Sequence, residues 1–171
     1  MNKKEEQSFF KKFLGDWEMY IASVGFVVMC LAIIVNVFSR FVLRKSFAWA
    51  EEVSYFGFVY AVFFGVCTLY KNQAMIAIDV IVDRLPKAAR RVIHIFNFTV
   101  LAIGNAFFTY YSYILTVQAW VRPTAALRIP YSFMDVAALI SFFVMTLYSL
   151  RFLYWSIKGK EIEEASLEER A

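Results

Sequence analysis

MYIASVGFVVMCLAIIVNVFS, residues 19–39, runs for 21 residues without a charged side chain. As an α-helix this stretch rises about 31 Å, close to the thickness of a bilayer's hydrocarbon core, so it reads as a membrane span. Working outward from it, Val53 to Tyr70 is a second uncharged run of 18 residues, and Val92 to Val121 is a third of 30 with only His94 to titrate. Ile129 to Leu150 adds 22 residues interrupted by Asp135 alone. These runs correspond to about 27, 45 and 33 Å of helix. The third exceeds the core thickness and predicts a tilted or projecting helix.

Composition agrees. With 61% apolar residues and a mean hydropathy of +0.57, the chain has more apolar side chains than one small water-soluble core would bury. The expected fold is all-α and integral to the membrane, with four transmembrane helices, short interfacial amphipathic helices and both termini inside. It forms a single membrane domain over 1–171, with spans at about 17–40, 50–70, 90–121 and 131–155.

The sidedness follows from Lys and Arg. With the amino terminus inside, the inner segments hold 13 of the 18 and the outer loops hold 5, namely Arg40, Arg44, Lys45, Arg122 and Arg128. The net charge of +4 therefore bears on orientation and not on nucleic acid. Trp17, Trp49, Trp120 and Trp155 each fall at a run's edge, where indole suits the headgroup region, and they serve as interface anchors. No small-residue cleavage pattern follows the first run, which reads as an uncleaved signal anchor.

Two further segments are amphipathic. Phe9, Phe10, Phe13, Leu14 and Trp17 recur at helical spacing ahead of the first span. Over about 72–85, Met75, Ile78, Val82 and Leu85 share one face while Asn72, Asp79 and Asp83 share another, which predicts an interfacial helix and not a fifth span. Pro123 and Pro130 bracket the last outer loop and predict an extended, rigid connection.

Catalytic chemistry lacks its parts. One histidine excludes a bis-histidine haem within the chain, Cys30 and Cys67 lie inside spans, and no HExxH, GxSxG or phosphate-binding glycine loop occurs. The middles of the spans carry no charge to couple an ion to a solute, and no paired breaks mark a midplane site. No metal or cofactor is expected in this chain. Two rivals remain at this level: an independent homo-oligomeric exporter or channel, and a membrane anchor for an electron-transfer enzyme.

The densest polar cluster between spans is NVFSRFVLRKSFAWAEE, residues 36–52. Asn36 and Arg40 share a helix face at the end of the first span, and Glu51 and Glu52 open the second. Either Arg40 meets Glu52 across the hairpin, or the two sets are unrelated anchors.

Here a family resemblance appears. Asn36, Arg40, Phe41, Ser46, Trp49, Ala50, Glu51 and Glu52, followed by Phe63, Phe64 and Gly65, resemble the small membrane subunit, of DctQ type, of tripartite ATP-independent periplasmic (TRAP) transporters. Ile78, Asp79, Leu85 and Pro86, then Ala126, Leu127, Ile129 and Pro130, continue it in order, from about residue 30 to about 150. The family often has a histidine shortly before that aspartate, where this chain has Met75, so no role of that histidine carries over. The resemblance implies an assembly signature at Asn36, Arg40, Trp49, Glu51, Glu52, Gly65, Asp79 and Pro130. It also implies a large multi-span permease partner that holds sodium and solute, and a periplasmic solute-binding protein. The setting is the bacterial inner membrane, with lipid around the helices and no nucleic acid. The solute is a carboxylate such as a C4-dicarboxylate or a sialic acid; the sialic-acid branch is nearest, though no single residue carries that. Arg44, Lys45, Arg122 and Arg128 are the candidates for docking the binding protein.

Overall fold

A computed structural model describes residues 15–72 and 87–158. It contains four helices: α1 (Trp17–Val42), α2 (Ala48–Lys71), α3 (Lys87–Ala119) and α4 (Ser132–Lys158). All four are long and apolar enough to cross a membrane. The expected amphipathic segment before residue 15, nearly all of the one at 72–85 including Asp79, and the charged tail after 158 lie outside the described residues.

The helices form two hairpins, α1 on α2 and α3 on α4, which are joined where α2 packs on α4. Most of the residues facing inward are small. In α1 the buried positions are Glu18, Gly25, Ala32 and Ser39, seven apart throughout, and in α2 Ala50, Gly57 and Phe64 keep the same spacing. A seven-residue repeat holds one seam against a neighbouring helix when the pair winds gently left-handed. In α4 the buried set is Ser132, Ala137, Ser141, Met145, Ser149, Phe152 and Ser156. Large apolar side chains such as Phe26, Leu31, Ile34, Phe38 and Phe41 point outward instead. Small residues inside and large apolar ones outside is the arrangement of helices packed in lipid, where close backbone approach replaces hydrophobic burial as the attraction. The protein is a multi-pass membrane protein.

The closest approach lies near the middle of the first hairpin. A Cβ on Gly25 would stand 2.9 Å from the Gly57 carbonyl oxygen, and one on Gly57 would stand 2.7 Å from that of Gly25 and 2.8 Å from the Met29 nitrogen. Both glycines are required by this contact. Beside it, Tyr20, Ile21, Val24, Val28, Phe56 and Tyr60 edge an open apolar groove of about 390 Å³.

Candidate functional site

Polar side chains gather at the two ends of the bundle. The loop end comprises the α1–α2 turn and the α3–α4 loop. The terminal end comprises the starts of α1 and α3 and the ends of α2 and α4.

At the loop end, Asn36 organises the first turn. Its Oδ1 accepts the Phe47 backbone N–H at 3.2 Å and the Ser46 hydroxyl at 3.2 Å, and its Nδ2 donates to Glu51 Oε1 at 3.5 Å. The Ser39 hydroxyl donates to the Lys45 carbonyl at 2.7 Å. Two α1 side chains thus satisfy backbone groups of the turn that no regular structure pairs.

The second loop is folded onto α2. Pro123 and Pro130 form an antiparallel bridge, the Thr124 N–H donates to the Ile129 carbonyl at 2.9 Å, and the Tyr131 N–H donates to Arg122 at 3.0 Å. Thr124, only 2% exposed, also accepts the Ile129 N–H on its hydroxyl at 3.1 Å. At the tip, the Ala126 N–H donates to Glu52 Oε1 at 2.6 Å and the Leu127 N–H to Oε2 at 2.8 Å. Successive amides wrap the carboxylate as they would a bound anion, and such charge-assisted bonds are the strong ones. Glu52 therefore ties the first hairpin to the second. Tyr60, donating to the Phe133 carbonyl at 2.9 Å, ties them again one layer below.

The terminal end uses charge differently. Glu18 is 1% exposed, yet its Oε1 accepts the Tyr148 hydroxyl of α4 at 2.6 Å, and Lys71 Nζ of α2 stands 3.9 Å from its Oε2. Lys71 also pairs with Asp16 at 3.0 Å and donates to the Gly15 carbonyl. One carboxylate thereby joins three helices. Nearby, Arg91 of α3 donates to the Ser156 carbonyl at 3.1 Å and to that of Ile157, capping the last turn of α4 where a cation suits the helix dipole. Between the ends, Ser149 of α4 takes bonds from Tyr70 at 2.6 Å and from Asn105 at 3.3 Å. Among the described residues, no group of three or more His, Cys, Asp or Glu side chains is placed to hold a metal.

Over residues 17–159 the sequence matches the family described as tripartite ATP-independent periplasmic transporters, DctQ component. The chain belongs to that family. It is also 28% identical, over 155 residues, to a Haemophilus influenzae protein provisionally named a TRAP transporter small permease protein, with 88% of this chain and 94% of that one covered. The resemblance read from the motif residues is thus the right one, and the chain is a small permease component of a TRAP transporter.

Within this TRAP component the signature residues take distinct places. At the loop end Asn36 bonds Glu51, Glu52 reaches the second loop, and Trp49 stacks on Phe47 at 5.9 Å. Pro130 closes the second loop. Gly65 stands apart, since a Cβ there would meet nothing within 4 Å. The direct Arg40–Glu52 pair is not formed: both Glu52 oxygens face loop amides, Arg40 lies on the exposed side of α1, and no ion pair joins them. A bent loop brings two donors to the carboxylate at once, which one side chain on the wrong face of α1 does not match.

The four exposed cations Arg44, Lys45, Arg122 and Arg128 share the loop end. Trp17 packs edge-on against Phe64 at 5.7 Å, Trp120 lies 6.4 Å from Phe133, and Trp155 carries Arg151 over its ring at 4.6 Å. Sequence reasoning missed Glu18 as a junction and Gly25–Gly57 as a crossing. The second had a signal in the seven-residue spacing of small residues; the first needed Tyr148, 130 residues away.

Proposed function

We propose that this chain is a non-catalytic brace for a large, sodium-coupled TRAP permease in a bacterial inner membrane. It serves uptake of a carboxylate solute, a C4-dicarboxylate or a sialic acid, that a periplasmic binding protein delivers. The observation that carries this reading is where the polar groups go. Glu18, Asn36, Glu52, Lys71, Arg91 and Ser149 bond other helices and loops of the same chain, so they hold a shape and face no pathway. Meanwhile α1 turns Phe26, Leu31, Ile34 and Phe38 outward, and α3 turns out Phe96, Ile103 and Phe107. Those faces offer a wide, rigid wall to lipid and to the larger subunit.

In this reading the terminal end lies in the cytoplasm and the loop end in the periplasm, following the Lys and Arg distribution. The loop-end cations then meet the binding protein. Sodium and solute are held by the large subunit.

Affinity purification of the tagged chain from membranes that express the whole transporter tests the proposal. The expected result is a stable complex with a larger multi-span permease. Recovery of the chain as a homo-oligomer, with no larger partner, would overturn it.

A further inference from the structure

The threonines of α3 satisfy themselves within the helix. Thr99, Thr109 and Thr116 each donate to the carbonyl four residues back, at 2.7, 2.8 and 2.7 Å. A hydroxyl can do this without leaving its helix, whereas an asparagine amide carries two donors and an acceptor that a regular helix does not match. Asn105 finds its partner on α4, in Ser149 at 3.3 Å. Asn97 is half-buried and bonds to no described residue. It stands six residues past Arg91, about 9 Å into the uncharged run, and its short side chain does not reach a headgroup. Lipid tails offer it nothing, and an amide without a partner in hydrocarbon is costly.

The same face offers room. Gly104, one heptad further and at the middle of α3, would carry a Cβ into open space, with nothing within 4 Å. Phe108, one turn on, meets Phe142 of α4 at 5.2 Å, and Phe142 meets Phe63 of α2 at 5.7 Å, so an aromatic floor runs from this face across α4 to α2. Lipid-facing stretches of α1 carry Phe26, Leu31, Ile34 and Phe38 instead. An amide followed by bare backbone is the pattern of a helix–helix contact within a membrane. We infer that the Asn97–Gly104 face of α3 seats a transmembrane helix of the large permease, which bonds the Asn97 amide and comes close to the backbone at Gly104. This rests on the proposed function and assigns the wall that meets the larger subunit. A second copy of this chain does not fit there. Two copies inserted alike would pair α3 in parallel and set Arg90, one heptad before Asn97 on the same face, against its counterpart, with the positive ends of both helix dipoles side by side.

The tagged chain is expressed with the whole transporter, and the permease that copurifies is measured for each variant. N97L/G104L removes the amide and fills the face with apolar bulk, and it is expected to recover about tenfold less permease than the unsubstituted chain. The same variant purified alone is expected to keep its helicity and its melting temperature or to raise the latter, because Asn97 bonds to no described residue, a Cβ at position 104 meets nothing, and leucine favours a helix over glycine. A106L adds the same bulk at nearly the same depth on the opposite, exposed side of α3, and it is expected to change recovery by less than about twofold. Recovery by N97L/G104L equal to that of the unsubstituted chain would overturn this inference and leave the proposed function standing. An equal loss in A106L would overturn it too, as would an N97L/G104L chain that no longer folds alone, since the two residues would then serve the chain's own packing. Loss of a homodimer in place of the permease complex would make a second copy the occupant and the inference wrong. If the unsubstituted chain recovers no permease, the proposed function fails first and takes the inference with it.

Discussion

Glu52 and Glu18 hold opposite ends of one bundle by opposite means. Glu52 spends its charge on two backbone amides of a loop 74 and 75 residues away, while every cation around it is left exposed. Glu18 is buried, takes a tyrosine hydroxyl, and draws Lys71 inward toward itself and Asp16. The loop end therefore presents free positive charge on a rigid frame. The terminal end has its described carboxylates and Lys71 closed in on themselves. The difference teaches that both ends hold the chain together, one with a carboxylate on loop amides and exposed cations around it, the other with a buried carboxylate and an ion pair.

Breaking the terminal end should cost most. Lys71→Met leaves the Glu18 carboxylate buried beside an apolar chain, and removing one partner of a buried pair typically costs about 3 to 5 kcal/mol. The melting temperature in detergent should fall sharply, and E18Q added to K71M should recover much of the loss. A K71M protein that melts like the parent would remove the ion pair from the account.

The glycine crossing comes next. Gly57→Ala drives a methyl group against backbone atoms of α1 and is expected to lose about 1 to 3 kcal/mol, whereas Gly65→Ala meets open space and should be neutral or slightly stabilising. Thermal unfolding of the two variants side by side checks this, and equal losses would mean that the close approach is not real.

At the loop end, Glu52→Gln keeps an acceptor for one amide but loses the charge, and should lower the melting temperature by less than Gly57→Ala does. Arg40→Glu should cost little, and the exchanged pair R40E/E52R should be no better than E52R alone. Recovery in the exchanged pair would restore the direct Arg40–Glu52 contact that the geometry rejects. Smallest of all, Tyr70→Phe removes the bond to Ser149, and bonds of this kind within membranes average about 0.6 kcal/mol. A double-mutant cycle with Ser149→Ala measures it.

These residues also show what was legible in advance. The four helices follow from charge-free runs because a bilayer forbids alternatives: each helix must satisfy its own backbone and be long enough to cross. The loop-end cluster was legible as a cluster, and Asn36 does meet Glu51 there, while Glu52 turns to the second loop. Their pairing was not, since a charge pattern suggests Arg40 for Glu52, and backbone donors at Ala126 and Leu127 carry no side-chain signature. Glu18 stood in plain view at the edge of a span, but its partner Tyr148 looks like any of the 10 tyrosines until the fold places it.

As proposed here, the chain shapes and supports a transporter without providing its pathway. Purified alone, reconstituted in liposomes and given an inward sodium gradient with labelled carboxylate solute and binding protein, it should accumulate nothing above empty vesicles. Adding the large permease should produce uptake. Gradient-driven accumulation by this chain alone would contradict the account.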